Sequence, residues 1–142
     1  MRRATRRRSG AILALTAICL VGMMAFLALA IDLGVMFMAR TQSQNAADSA
    51  ALAGARTLDG KSTNNNSSAA LTMSQSVAKS NQILNANVTD SQSTTNQVGI
   101  YRYDSTAGRF QAVFGQSPNT NESYGVVQVS LTSSTPTFFG KV

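Results

Sequence analysis

Residues 11–31 form an unbroken run of 21 residues without a charge, and five arginines, Arg2, Arg3, Arg6, Arg7 and Arg8, precede it within the first eight positions. A hydrocarbon core of roughly 30 Å takes about 20 apolar residues in a helix rising about 1.5 Å per residue, so the run is long enough to span a bilayer. Cationic side chains flanking a span stay on the cytoplasmic face. The arginines therefore predict an N-terminus inside and everything after Ile31 outside. On this reading the chain divides into a basic cytoplasmic leader at 1–10, a transmembrane helix at 11–31, an extracytoplasmic continuation of that helix at 32–58, and a small polar extracytoplasmic domain at 59–142.

The net charge of +6 resembles a nucleic-acid signal until it is located. Five of the 12 Lys and Arg residues lie in the leader, and the rest of the chain balances seven basic against six acidic residues. No basic stripe interleaved with aromatics follows residue 10, so nucleic acid is not an expected partner. Cys19, the single cysteine, lies within the apolar run and the chain has no histidine. Zinc sites, His-based nucleophilic triads and an intrachain disulfide are excluded on inventory.

Ala28-Leu29-Ala30 resembles the small-residue cleavage site of a secretory signal, which would make residues 1–30 a cleaved leader. Two features oppose this. The run exceeds the 7–15 residues of a signal core, and the apolar character continues past Asp32 through Leu33, Val35, Met36, Phe37 and Met38. Processing at Gly10, as in prepilins, is a further alternative, but Leu15 stands where pilin-like subunits typically carry glutamate.

No proline interrupts residues 11–58, and residues 39–58 are rich in alanine, the strongest helix former. Asp59-Gly60 supplies a stop. One helix of almost 50 residues, about 70 Å long, is predicted, with Gly34 as the place for a kink. Its outer half carries Ala46, Ala50 and Gly54 on one row and Ala47, Ala51 and Ala55 on the next. Small rows allow close approach of another helix, either from the chain's own domain or from a like helix of another molecule. Asp32 falls at the outer boundary of the run, as the residue marking its end or as a contact to a cationic group on a neighbouring helix.

Ala30-Ile31-Asp32-Leu33-Gly34, then Arg40, then Gln42/Gln44-Asn45-Ala46-Ala47-Asp48-Ser49-Ala50-Ala51-Leu52-Ala53, resembles the N-terminal region of TadE/TadG-like proteins, part of the tight-adherence machinery that assembles Flp pili in bacteria. The resemblance spans roughly residues 9–56, and Asp32, Gly34, Arg40, Gln44, Asn45, Ala46, Ala47, Asp48, Ala50, Ala51 and Leu52 match its motif. It implies a single-pass inner-membrane protein of pilus assembly or surface adhesion, with no catalysis; no cofactor and no small-molecule substrate are expected. The partners it implies are other pilus-assembly proteins or like helices. Larger members carry a von Willebrand A-type domain with an Asp-x-Ser-x-Ser metal site; that motif is absent here, so metal-dependent adhesion does not carry over.

Beyond the helix, 24 of the 36 residues at 62–97 are Ser, Thr, Asn or Gln. Ala70, Met73, Val77 and Leu84 fall near one face of a helix predicted over 69–85, followed by a loop over 89–97. Residues 98–103 and 109–114 alternate as strands around the turn 104–108, with Phe110, Ala112 and Phe114 on one face. A third strand is predicted at 126–131, with Val127, Val129 and Leu131 inward. The expected fold is α+β: a long N-terminal transmembrane helix extending out of the membrane, then one helix against an antiparallel sheet of about three strands. Phe138 and Phe139 either close an edge of that core or belong to a strand that pairs elsewhere. Two rivals stand beside pilus assembly. One is a pilin-like filament subunit. The other is an enzyme using Asp48, Asp59, Asp90, Asp104 or Glu122, carboxylates whose spacing does not make them converge.

Overall fold

Helix α1 spans Ser9–Thr57, 49 residues in a computed structural model that describes residues 9–61 and 66–139. It runs through Gly34 without interruption and stops at the expected place. Gly60 takes φ of +70° and the Asp59 carboxylate accepts the Lys61 backbone N–H at 3.1 Å. The rest is helix α2 (Ser67–Ser80), a hairpin of β1 (Gln82–Ile83) and β2 (Ala86–Asn87), and strands β3 (Ser93–Asp104), β4 (Arg109–Phe114) and β5 (Tyr124–Leu131). The three long strands form an antiparallel sheet in the order β4-β3-β5. The class is α+β, as expected. The leader arginines Arg2, Arg3, Arg6, Arg7 and Arg8 lie outside the described residues. The described chain forms two compact units, residues 9–37 with 135–139, and Met38–Ser134.

In the 38–134 unit, α2 starts two residues earlier and ends five residues earlier than its composition suggests. Asn81 turns extended (ψ 157°), and Leu84 and Asn85, expected in the helix, both take positive φ (50° and 64°). Positive φ at both central residues is the two-residue hairpin turn whose twist matches its flanking strands. Leucine is an unusual residue there, and it is held from both sides. Its N–H donates to Gln42 Oε1 on α1 at 2.8 Å, and its side chain packs on the cluster Ala39, Ile83 and Val88.

Strand β3 also departs from expectation by starting at Ser93, within the segment whose polar composition reads as loop. Its added residues pair with β5, Ser93 with Leu131 and Asn96 with Val129 among them. The β3–β4 turn is as expected: Asp104 Oδ1 accepts the N–H groups of Thr106 and Ala107 (2.8 and 3.2 Å), and Gly108 has φ of +64°. Phe110, Ala112 and Phe114 do share a face, but it is the open one. Register places Tyr101 against Ala112 and Tyr103 against Phe110, and all four are exposed. Tyr101 and Phe110 lie parallel, with centroids 6.1 Å apart, while Tyr103 meets Phe110 edge-on at 5.3 Å. The other face carries the burial, through Ile100 and Val127. Gly99, on the open face, leaves room for the Phe114 ring, since a Cβ there would stand 2.6 Å from Phe114 Cδ1.

The long β4–β5 connection is pinned to β3. Arg102 donates from Nε and Nη2 to the two Glu122 oxygens (2.8 and 2.6 Å) and from Nη1 to Gln116 Oε1 at 3.0 Å, while Glu122 Oε2 also accepts the Asn119 N–H. Hydrogen bonding from the Arg102 guanidinium, then from that N–H, holds the Glu122 carboxyl down from 4.5 to about 2. A lowered folded-state pKa stabilises the fold above the unfolded value and loses that contribution as pH falls through the folded one. The clamp is therefore expected to be intact at pH 4.5 and above and to release near pH 2. Carbon-13 NMR titration of the Glu122 carboxyl checks this; a midpoint at or above 4.5 contradicts it.

Candidate functional site

The outer half of α1, residues 38–57, is the place where the motif residues and the small-residue rows coincide. Its two serine hydroxyls and that of Thr57 are satisfied locally. Ser43, Ser49 and Thr57 donate to the carbonyls of Ala39, Ala46 and Ala53, which removes the cost of unpaired hydroxyls near the packed surface. Ala39, Ala46, Ala50 and Gly54 are buried. Their counterpart on α2 is a second row at four-residue spacing, Ala70, Ser74 and Ala78, each at 0% exposure.

Gly54 marks the closest approach. A Cβ there would lie 3.0 Å from the Ala70 carbonyl oxygen, 3.0 Å from Ser74 Cβ and 3.1 Å from Val127 Cγ1. Farther back along α1, Asn81 donates to Ser49 Oγ at 3.2 Å and Leu84 to Gln42. The pairing 54 with 70–74, 49 with 81 and 42 with 84 makes α2 and its hairpin run antiparallel along α1. The buried row thus packs within the chain's own domain. Ser74, a buried polar residue, is accommodated because its hydroxyl donates to the Leu71 carbonyl at 2.8 Å.

The motif residues divide between two sides of the helix. Ala46 and Ala50 are buried, Ala47 and Ala51 half-buried. Arg40, Gln44, Asn45, Asp48 and Leu52 are exposed, and Arg40, Gln44, Asp48 and Leu52 form a row at four-residue spacing. In the other unit Gly34 is exposed and Asp32 is buried. The Asp32 carboxylate accepts the backbone N–H groups of Phe138 (2.9 Å) and Phe139 (3.1 Å). Phe138 and Phe139 lie in no strand, and both rings are exposed, so they do not close the core.

The inner half of α1 has one further property. Among the described residues, α1 is the helix long and apolar enough to cross a membrane, and its most apolar stretch is wholly unburied. The model of the TadE/G-like Flp pilus-assembly family matches residues 10–57. The match covers 48 of the 142 residues, the N-terminal third of the chain. Its limits coincide with α1 to within a residue, so the TadE/G-like part of this chain is one helix, and α2 and the sheet lie outside the matched segment. Comparison with curated proteins and with solved structures gives no match.

The sequence does not disclose what the helix touches. Gln42 holds the Leu84 turn, and Ser74 and Ala78 build the row facing Gly54. Four-residue spacing of Ala70, Ser74 and Ala78 was visible, but small residues in a Ser-rich stretch do not register as an apolar face. Among the described residues no three of His, Cys, Asp or Glu come together as a metal-binding group.

Proposed function

We propose that this chain is a non-catalytic envelope protein of a Tad-type pilus-assembly system, anchored in the bacterial inner membrane by residues 11–31. Its leader arginines face the cytoplasm. Residues 32–58 continue the helix outside, and residues 59–142 form an extracytoplasmic domain. The observation that carries this reading is the coincidence of the family match with a single helix whose inner half is apolar and uncovered. Lipid is the solvent that such a surface requires. The outer half then serves two purposes: its buried alanine row docks the domain, and the exposed row Arg40, Gln44, Asp48 and Leu52 faces partner proteins of the assembly machinery.

Deleting the gene is expected to abolish or sharply reduce surface pili and adhesion, with recovery on re-expression and the protein found in inner-membrane fractions. Unchanged piliation would sink the proposal. A second reading, a pilin-like filament subunit, is favoured by that same exposed row, which the chain's own domain leaves open to like helices. Recovery of the protein in sheared surface filaments, and not in the membrane fraction, would select it. Intact mass of the mature protein also bears on topology, since a chain beginning at Ile31 means cleavage and loss of the anchor.

A further inference from the structure

Asp32 lies one residue, about 1.5 Å of helix rise, beyond the uncharged run. There the 135–139 segment lies against the helix. Asp32 accepts the N–H of Phe138 on Oδ1 and that of Phe139 on Oδ2. Asp32 is 8% exposed, whereas Ile31 and Leu33 beside it are 45% and 44% exposed. Each backbone N–H placed in apolar surroundings without an acceptor costs free energy, and a carboxylate is a strong acceptor. Pro136 has no N–H to satisfy. With its donors at 138 and 139 engaged, this backbone is suited to a boundary where water is scarce. Its side chains are suited as well: Phe138 and Phe139 are 66% and 55% exposed.

We infer that Phe138 and Phe139 form a lipid-contacting foot that enters the outer interfacial layer of the bilayer, with Asp32 as its latch. The inference rests on residues 11–31 being a membrane span. Lipid is the occupant because Asp32 ties this segment to α1 within one exposed apolar surface, which runs through Leu29, Ile31, Leu33, Met36 and Phe37. Phenylalanine rings are favoured at that depth, where they leave water, and the N–H groups of 138 and 139 enter with their acceptor. Asp32 thereby acts within the chain, as a receptor for backbone N–H groups at the membrane surface.

The test uses the full chain in phosphatidylcholine–phosphatidylglycerol vesicles, with Cys19→Ala removing the native thiol. A nitroxide is placed at Phe139→Cys, at Leu20→Cys in the span, or at Ser105→Cys in the β3–β4 turn, and its collision with oxygen and with a water-soluble nickel chelate is measured. The label at 139 is expected to favour oxygen over nickel, between the values at 20 and 105. Adding Asp32→Ala should remove that preference and give the value of the Ser105 site. A label at 139 that matches the Ser105 site while Leu20 stays lipid-exposed overturns the foot and leaves the span standing. Shielding of 139 from both reagents means a protein surface covers it and likewise overturns the proposal. An aqueous signal at 20 overturns the span and the foot together.

Discussion

Gly54→Leu is expected to destabilise the 38–134 unit by roughly 3 kcal/mol or more, the upper end of what overpacking a filled site costs. Two of the three atoms in the way cannot rotate aside: the Ala70 carbonyl oxygen is backbone, and Ser74 Cβ is fixed to its helix. α2 would have to move away from α1 and would draw Val127 with it. Gly54→Ala separates the causes. It adds about 1 kcal/mol of helix propensity over glycine, against a Cβ placed 3.0 Å from its neighbours. The small substitution should therefore shift stability little and the large one strongly. Urea unfolding of the full chain in detergent micelles, followed by tyrosine fluorescence, measures both. Tyr101, Tyr103 and Tyr124 all report on this unit. An unchanged midpoint for Gly54→Leu would mean that the helices are not in close contact at this point.

Ile100→Ala carries the second large effect. Ile100 and Ser74 are the largest fully buried side chains, and Ile100 alone of the two is a large hydrocarbon. Removing its outer carbons loses transfer free energy and leaves a cavity, about 2–5 kcal/mol for an isoleucine in a packed core. That is a large share of the 5–15 kcal/mol typical of a whole domain. Phe110→Ala provides the contrast. The ring is 60% exposed and engages Tyr101 and Tyr103, so its loss should cost about 0.5–1.5 kcal/mol, the range of aromatic pairing beyond burial. If Phe110→Ala proves the more damaging, the sheet buries its other face.

These two sites also mark how far the sequence could be read. Helix α1 was legible from end to end, because an uncharged run followed by alanine-rich sequence has no competing structure until Asp59-Gly60. The β3–β4 hairpin was equally plain, since Asp104 and Gly108 carry their own turn chemistry. What failed has specific causes. Period-two alternation puts Phe110 and Phe114 on one face of a strand without saying whether that face is the buried one. The Leu84-Asn85 turn has no glycine, and its conformation depends on Gln42, 42 residues away. The Ser93–Gln97 part of β3 is polar because it pairs by backbone with β5, and backbone pairing leaves no mark in composition.

The candidate site shows the same division. The row of small residues at 46, 50 and 54 was visible, but not the identity of the surface against it, because the facing row on α2 is also built from Ala and Ser. Asp32 was visible as a boundary residue. Its acceptors' partners were not, since they are backbone N–H groups more than 100 residues away. Any residue but proline offers such a group, so no pattern of side chains could have named Phe138 and Phe139.

The small-residue seam between α1 and α2 has a thermal consequence. Unfolding a domain raises the heat capacity mainly through newly hydrated hydrocarbon, on average about 12–15 cal/mol/K per residue. A seam of Ala46, Ala50, Gly54, Ala70, Ser74 and Ala78 holds little hydrocarbon per residue and keeps no side-chain rotamers to release beyond those of serine. The heat-capacity increment of the 38–134 unit should fall below that average, and its stability curve should be correspondingly flat. Cooling would then weaken this fold less than it weakens a domain built on leucine and phenylalanine, and its margin of stability would change little over a wide range of temperature.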